Sequence, residues 1–380
     1  MQISAIHTYF SKEAHRNLIF IEVVTDEGIS GVGEAYSVGP DEAVAATVKH
    51  LEAWLVGKDP LDIERLWQMM YNFSRFPGGL ILMSAISGID IALWDIKGKA
   101  AGLPVWALLG GKARDKIRTY GHAEGSSAGE IAENAKKVVE KYRHTAVKCF
   151  PFMMGESIPL WRSIMHEGEK RIHAIREILG PEMDIAVDAH AAIPTPYQAI
   201  EAAKMLEPYH PMFMEEPTRP ENLDSLARVA RNTTIPIATG EMLYTKWEFK
   251  ELLSREAASI IQPDICIAGG ITEMKKIAAV AESYYVPLAP HNPMGPIATA
   301  ANVHVCAAIP NFLVLEYLPD DKEERLDVVD KPLEFADGWL KIPDRPGLGI
   351  ELNKEGLAKH PPKYWHRPFR YNQDGLPGVI

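Results

Sequence analysis

At 380 residues with 47% hydrophobic content, the chain can bury a large core and exceeds the usual size of one compact domain, so two domains are expected. The formal net charge of -11, with no cluster of Lys and Arg, argues against nucleic acid and for a small-molecule partner. Cys149, Cys266 and Cys306 are too few and too scattered for a disulfide framework or a zinc cluster, and no leader or run of about 18 apolar residues is seen, so we expect a cytoplasmic protein with no membrane partner.

The first part of the chain reads as α+β. Ile3 to Phe10, Leu18 to Thr25 and Gly31 to Tyr36 are expected strands, with Thr25-Asp-Glu-Gly28 as the turn between the second and third. Helical patterns follow over Asp41 to Leu55 and Pro60 to Phe73, the second with a proline and acids in its first turn. After a break at Ser74-Arg-Phe-Pro-Gly-Gly79, Met83 to Ala101 carries Ile86, Ile89, Leu93 and Ile96 at helical spacing, with Gly102 at its end. Residues 1–115 are taken as one α+β domain.

From Lys116 short apolar strands alternate with amphipathic helices, the pattern of parallel βα units. The expected strands are Ile117 to Tyr120, Ala146 to Phe150, Ile185 to His190, Pro211 to Glu216, Pro236 to Glu241, Ile260 to Ile265, Pro287 to His291 and Phe312 to Tyr317. A (β/α)8 barrel over 116–325 fits better than an open sheet, because no glycine-rich dinucleotide fingerprint follows any strand. Gly269-Gly270 is a loop. The segment 326–380 resumes strand character at Trp339-Leu-Lys-Ile342 and most simply packs back on the first domain.

Most of these strands end in an ionisable residue, and barrel sites lie at the C-terminal ends of the strands. Asp188 and His190 are two positions apart and share one face of a strand. Asp188, Glu215 and Glu241 end three successive strands and could converge on one ion with oxygen ligands, which suits Mg2+. Singly each acid is as ordinary as a loop cap. Glu216 faces away from Glu215 in a regular strand and is read as structural. Asp264 ends the sixth strand and His291 the seventh, so the carboxylate can orient the imidazole and raise its pKa to make a general base. His190 could bind the metal or serve as an acid. Lys148 and Glu316 end the second and eighth strands, where both could stabilise negative charge on a carboxylate substrate, the glutamate only if protonated.

Across essentially the whole chain the sequence resembles the enolase superfamily, mandelate racemase subgroup. The resemblance rests on Val187-Asp-Ala-His190, Glu215-Glu-Pro217, Thr239-Gly-Glu241, Gln262-Pro-Asp264, Pro290-His291 and the helix Ser84 to Lys99. The Asp-x-His strand, the loop Pro290 to Pro296 and the ending His366-Arg-Pro-Phe-Arg-Tyr-Asn-Gln-Asp-Gly375 are most similar to the galactonate dehydratases and related sugar-acid enzymes. The resemblance implies a modified (β/α)8 barrel with an α+β capping domain to which the C-terminal segment returns. It also implies Asp188, Glu215 and Glu241 as Mg2+ ligands, an Asp264–His291 base and His190 as acid. A homo-oligomer acting on a small sugar acid is expected.

On that pattern His291 removes the C2 proton, Mg2+ with Lys148 and Glu316 holds the charge of the enediolate, and His190 protonates the departing 3-hydroxyl, giving a 2-keto-3-deoxy acid. Two positions depart from the relatives. Phe150 stands where a second lysine or an asparagine is usual, and the loop Phe73-Ser-Arg-Phe-Pro-Gly-Gly-Leu80, expected to close over the substrate, is longer. An apolar Phe150 keeps open a cycloisomerase that opens an anhydro-sugar acid by the same deprotonation and elimination. The alternative outside enzymology is a binding protein whose acids hold a stabilising cation.

Overall fold

The computed structural model describes residues 1–14, 16–37, 39–152, 158–319, 322–365 and 369–378. An antiparallel sheet of β1 (Ile3–Glu13), β2 (Arg16–Thr25) and β3 (Ser30–Ala35) opens the chain, with β2 in the middle. The run Leu18 to Ile21 is wholly buried, which accounts for its unbroken apolar sequence. Three helices follow: α1 (Asp41–Leu55), α2 (Ile63–Asn72) and α3 (Leu80–Ala101). α3 packs on this sheet and on the barrel helix Gly270–Ser283, so it is apolar on almost every side. Gly102, at φ 67°, ends it in the left-handed conformation that glycine takes without strain.

Gly31 and Gly33 let α3 lie directly against β3. A Cβ on Gly33 would stand 1.9 Å from the Gly88 carbonyl oxygen, and one on Gly31 2.1 Å from that of Ala92. Because backbone cannot yield there as a side-chain tip can, Gly33→Ala is expected to cost about 1–3 kcal/mol or more. The denaturant midpoint measures this; an unchanged midpoint would mean that strand and helix part at little cost.

In the second part β4 (Lys116–Ala123), β5 (Ala146–Cys149), β6 (Asp184–Asp188), β7 (Phe213–Glu215), β8 (Ile237–Thr239) and β9 (Ile260–Ile261) pair in parallel, each with the next. The expected seventh strand is reduced to Leu288, which bridges Ile261 on one side and Phe312 on the other. β10 (Leu315–Glu316) then pairs with β4 and closes the barrel. Tyr120, Ala146, Ala186, Phe213, Ala238, Ile260, Ala289 and Val314 pack together as its interior layer.

The C-terminal segment departs from expectation at Trp339. β11 (Val329–Asp330) pairs with β14 (Glu351–Leu352), and between them β12 (Phe335–Ala336) and β13 (Trp339–Lys341) form a hairpin. β13 lies antiparallel to Lys116–Arg118 of β4, not against the first domain. The reason is an open edge: β10 reaches β4 only at Thr119 and Tyr120, and β5 only from Gly121 onward. Residues beyond it do touch the first domain, where Lys12 N donates to His360 O at 2.9 Å and Asn17 Nδ2 to Lys363 O at 2.9 Å. Of the motif 366–375, His366, Arg367 and Pro368 lie outside the described residues.

Polar contacts lock the first domain onto the barrel. Trp67 Nε1 donates to Gly269 O at 2.9 Å and Gly269 N to Ser87 Oγ at 3.0 Å. Asp90 accepts from Thr272 N and Thr272 Oγ1, at the start of the helix Gly270–Ser283. Gly269-Gly270 thus serves as a docking turn. Among the described residues no helix is long and apolar enough to cross a membrane.

Candidate active site

The period of the barrel strands builds the site. Counting two residues on from the interior layer gives His122, Lys148, Asp188, Glu215, Gly240, Gln262, His291 and Glu316, one level nearer the barrel mouth. Parallel register sets Asp188 beside Glu215 and Lys148 beside His122. Asp188, Glu215 and Glu316 are wholly buried, and Lys148 is nearly so.

Lys148 is the electrostatic centre. Its Nζ lies 3.2 Å from Asp188 Oδ2, 2.9 Å from Glu215 Oε1 and 2.7 Å from Glu316 Oε1. Burial would lower its pKa, but Glu215 and Glu316 outweigh that and hold it well above the ordinary lysine range. Burial pushes Asp188 up to about 6 against the pull of Lys148. Burial and the neighbouring Asp188 likewise raise Glu215. Glu316 goes the other way: burial is outweighed by Lys148, His291 and His122, and its carboxyl sits well below the usual range. It also accepts from Asn292 N at 2.8 Å. These neighbours favour the ionised form of Glu316, whereas its expected part in holding negative charge called for the protonated one.

Across the barrel mouth, Asp264 Oδ2 lies 2.8 Å from His291 Nδ1, and Asp264 Oδ1 accepts from Cys266 N. The imidazole Nε2 is 3.4 Å from Glu241 Oε2. Burial would lower the pKa of His291, but Glu241, Glu316 and Asp264 together raise it to about 10. His190 stands on the opposite flank, its Nε2 3.2 Å from Asp188 Oδ2 and its ring centroid 4.8 Å from that of Phe150. Strand alternation does not put it there, since β6 ends at Asp188. Left-handed backbone at His190 (φ 48°) and Ala191 (φ 51°) turns the chain instead, a conformation of non-glycine residues that clusters at functional sites.

Asp188 and Glu215 thus come together as expected, whereas the Glu241 carboxylate faces His291. Among the described residues no three Asp, Glu, His or Cys side chains surround one point at metal-binding distance. The donor set nonetheless suits a hard cation: Glu215 Oε2 and Glu241 Oε2 are buried oxygens with no hydrogen bond among the described residues, and a positive charge, the Lys148 ammonium, already sits against Asp188 and Glu215. Glu216 turns away, its Oε1 accepting from Thr239 Oγ1 and Gly240 N, as a structural residue does.

Lys148, His190, Glu241, His291 and Glu316 line a cavity of about 620 Å³ that is also walled by Glu13, Ala14, Arg16 and Tyr36 of the first domain. No residue of the loop 73–80 lines it, and Phe76 is 82% exposed; Glu13, Ala14 and Arg16 stand at the cavity instead. Phe150 does line it, packed edge-on to His122. His122, which pairs with Glu316 Oε1, was not singled out from the sequence. The signal was present: β4 continues three residues past Tyr120, and His122 keeps its strand parity.

Residues 2–110 match the family model of the mandelate racemase / muconate lactonizing enzyme N-terminal domain, and residues 130–356 that of the enolase C-terminal domain-like family. The D-galactonate dehydratase of Xanthomonas campestris pv. campestris (strain B100) is 40% identical over 99% of each chain, and that of Variovorax paradoxus (strain S110) 38% over 99% of each. Among solved structures, an enolase from Agrobacterium radiobacter with bound Na and L-malate superposes with a TM-score of 0.94 at 35% identity over 100% of both chains.

Proposed function

Because the chain belongs to the mandelate racemase / muconate lactonizing enzyme family of the enolase superfamily, we propose that this enzyme is a sugar-acid hydro-lyase that removes water from a galactonate-type aldonate to give a 2-keto-3-deoxy acid. The observation that carries the reading is the Asp264–His291 pair facing the Lys148, Asp188 and Glu215 cluster across one cavity, with His190 on its far flank.

In this reading His291 Nε2 takes the C2 proton while Asp264 fixes the ring through Nδ1. Lys148 draws the substrate carboxylate towards the barrel axis and offsets the charge that develops on it. Glu316 does not touch that charge; it keeps Lys148 and His122 in place. His190 donates a proton to the departing 3-hydroxyl. Asp188, Glu215 and Glu241 would hold Mg2+, which supplies Lewis-acid neutralisation of an enediolate that a histidine alone could not generate.

A base must be unprotonated, and a pKa of about 10 leaves His291 charged at neutral pH. The largest charge raising it is Glu241. Engaging Glu241 with a cation removes that charge, so His291 is expected to titrate near 10 in EDTA and to titrate lower once Mg2+ is added. NMR of the His291 ring follows this directly, and a titration that Mg2+ leaves in place would speak against Glu241 as a ligand.

The proposal is tested with a panel of aldonates, aldarates and anhydro-aldonates, read as 2-keto acid by semicarbazide absorbance. Turnover of D-galactonate or a near epimer is expected. One observation favours a second reading: Phe150 presents an apolar ring between His122 and His190, where a polyhydroxylated chain would gain more from a polar group. Turnover of anhydro acids alone would establish a cycloisomerase.

A further inference from the structure

The loop that follows His291 is held by side chains remote from it in sequence, most of them from the first domain. Arg16 Nη2 donates to Pro293 O, and Arg325 Nη2 donates to Met294 O at 2.6 Å. Glu34 of β3 accepts from Gly295 N at 2.6 Å and from Ala298 N at 2.9 Å, at the start of the helix Pro296–Ala307. The two arginines are themselves joined by one carboxylate. Glu13 Oε2 accepts from Arg16 Nε at 3.2 Å and Nη2 at 3.1 Å, while Glu13 Oε1 accepts from Arg325 Nη1. All three side chains are largely buried, with Arg325 only 2% exposed.

We propose that Glu13, Arg16 and Arg325 form a clasp that positions the catalytic base. By gripping the carbonyls of Pro293 and Met294, two and three residues after His291, it sets the imidazole against the cavity that Glu13 and Arg16 also wall. Docking of the β1–β2 turn and alignment of the base are then one event. The proposal rests on the reading of His291 as base. Physical reasons favour it over a purely structural role. Desolvating two guanidinium groups and a carboxylate is costly unless geometry demands them, and apolar residues would fill the same space with no such cost. Each guanidinium also donates to a carbonyl that neither a strand nor a helix satisfies, so the loop's path depends on them. Arg325 reaches the loop from the short helix Glu323–Leu326 and does not line the cavity, so removing it deletes no cavity-lining side chain.

The decisive variant is Arg325→Met, with Arg325→Lys as the conservative partner and Ile175→Ala, in the core of the barrel helix Trp161–Leu179, as a control for lost stability. Displacing a reacting group by about 1 Å can cost about 10²-fold, so kcat of Arg325→Met is expected to fall about 10–100-fold, with KM nearly unchanged. Arg325→Lys should recover part of it. Hydrogen–deuterium exchange of a peptide spanning 292–299 should rise in Arg325→Met and in Glu13→Gln, but not in Ile175→Ala. All assays are run well below each variant's melting temperature. The clasp is overturned if exchange over 292–299 is unchanged, if KM rises while kcat holds, or if Ile175→Ala with a matched melting temperature loses kcat equally. Should the wild-type enzyme turn over no sugar acid, the proposed function fails, whereas the exchange experiment still decides whether the clasp holds the loop.

Discussion

His291→Asn is expected to abolish exchange of the C2 proton in D2O and to lower turnover by about 10²–10⁴-fold, the usual contribution of a positioned general base. His190→Asn should also lose turnover, yet keep some C2 exchange, because it acts after the proton has left. The two variants therefore separate the halves of the reaction. Structure supports the separation: the histidines come from opposite sides of the barrel, one joined to Asp264 and the other to Asp188. Proton NMR of recovered substrate measures exchange, and the semicarbazide assay measures elimination. Equal residual turnover in both variants would show the roles to be wrongly assigned.

Lys148→Met has the second large effect, and here the sign depends on the metal. Removing the ammonium leaves Asp188, Glu215 and Glu316 buried together without their shared counter-charge. Breaking a buried ion pair by deleting one partner costs about 3–5 kcal/mol, so in EDTA the variant should unfold at distinctly lower denaturant than the wild type. A cation bound only by the native state restores about 2.7 kcal/mol at a hundredfold excess over its dissociation constant. Mg2+ should thus recover more stability in Lys148→Met than in the wild type, where it competes with the lysine for the same carboxylates. Turnover stays about 10²–10³-fold down even with Mg2+, since a fixed positive charge near the reacting carboxylate is gone. Equal stability of variant and wild type in EDTA would remove Lys148 from the centre of the site.

Much of this was legible in the sequence because a parallel barrel writes its site in a simple code. Short apolar runs ending in Asp188, Glu215 and His291 place those groups at one mouth once the strands are known to be parallel. The helix pattern over Met83 to Ala101 was equally plain, and only its start moved, to Leu80. What escaped was set by contacts distant along the chain. The ionised state of Glu316 depends on Lys148, His291 and His122, none of which its own neighbourhood announces. His190 reaches the site through positive φ values that no alternation rule encodes. The strand at Trp339 pairs with β4 and not with the first domain, because the vacant edge of β4 exists only after the barrel closes. Glu13 and Arg16, which wall the cavity, carry charges of opposite sign and look like any solvated pair until Arg325 arrives beside them.

The docking of α3 on Gly269 and Thr272 bears on how the protein is made. Asp90 and its partner Thr272 are 182 residues apart. At ribosomal speeds of about 5–20 residues per second, roughly 10–40 s separate their emergence. Throughout that interval the nascent N-terminal domain presents Trp67, Ser87 and Asp90 uncovered, a surface on which chaperones can act before any barrel exists to claim it.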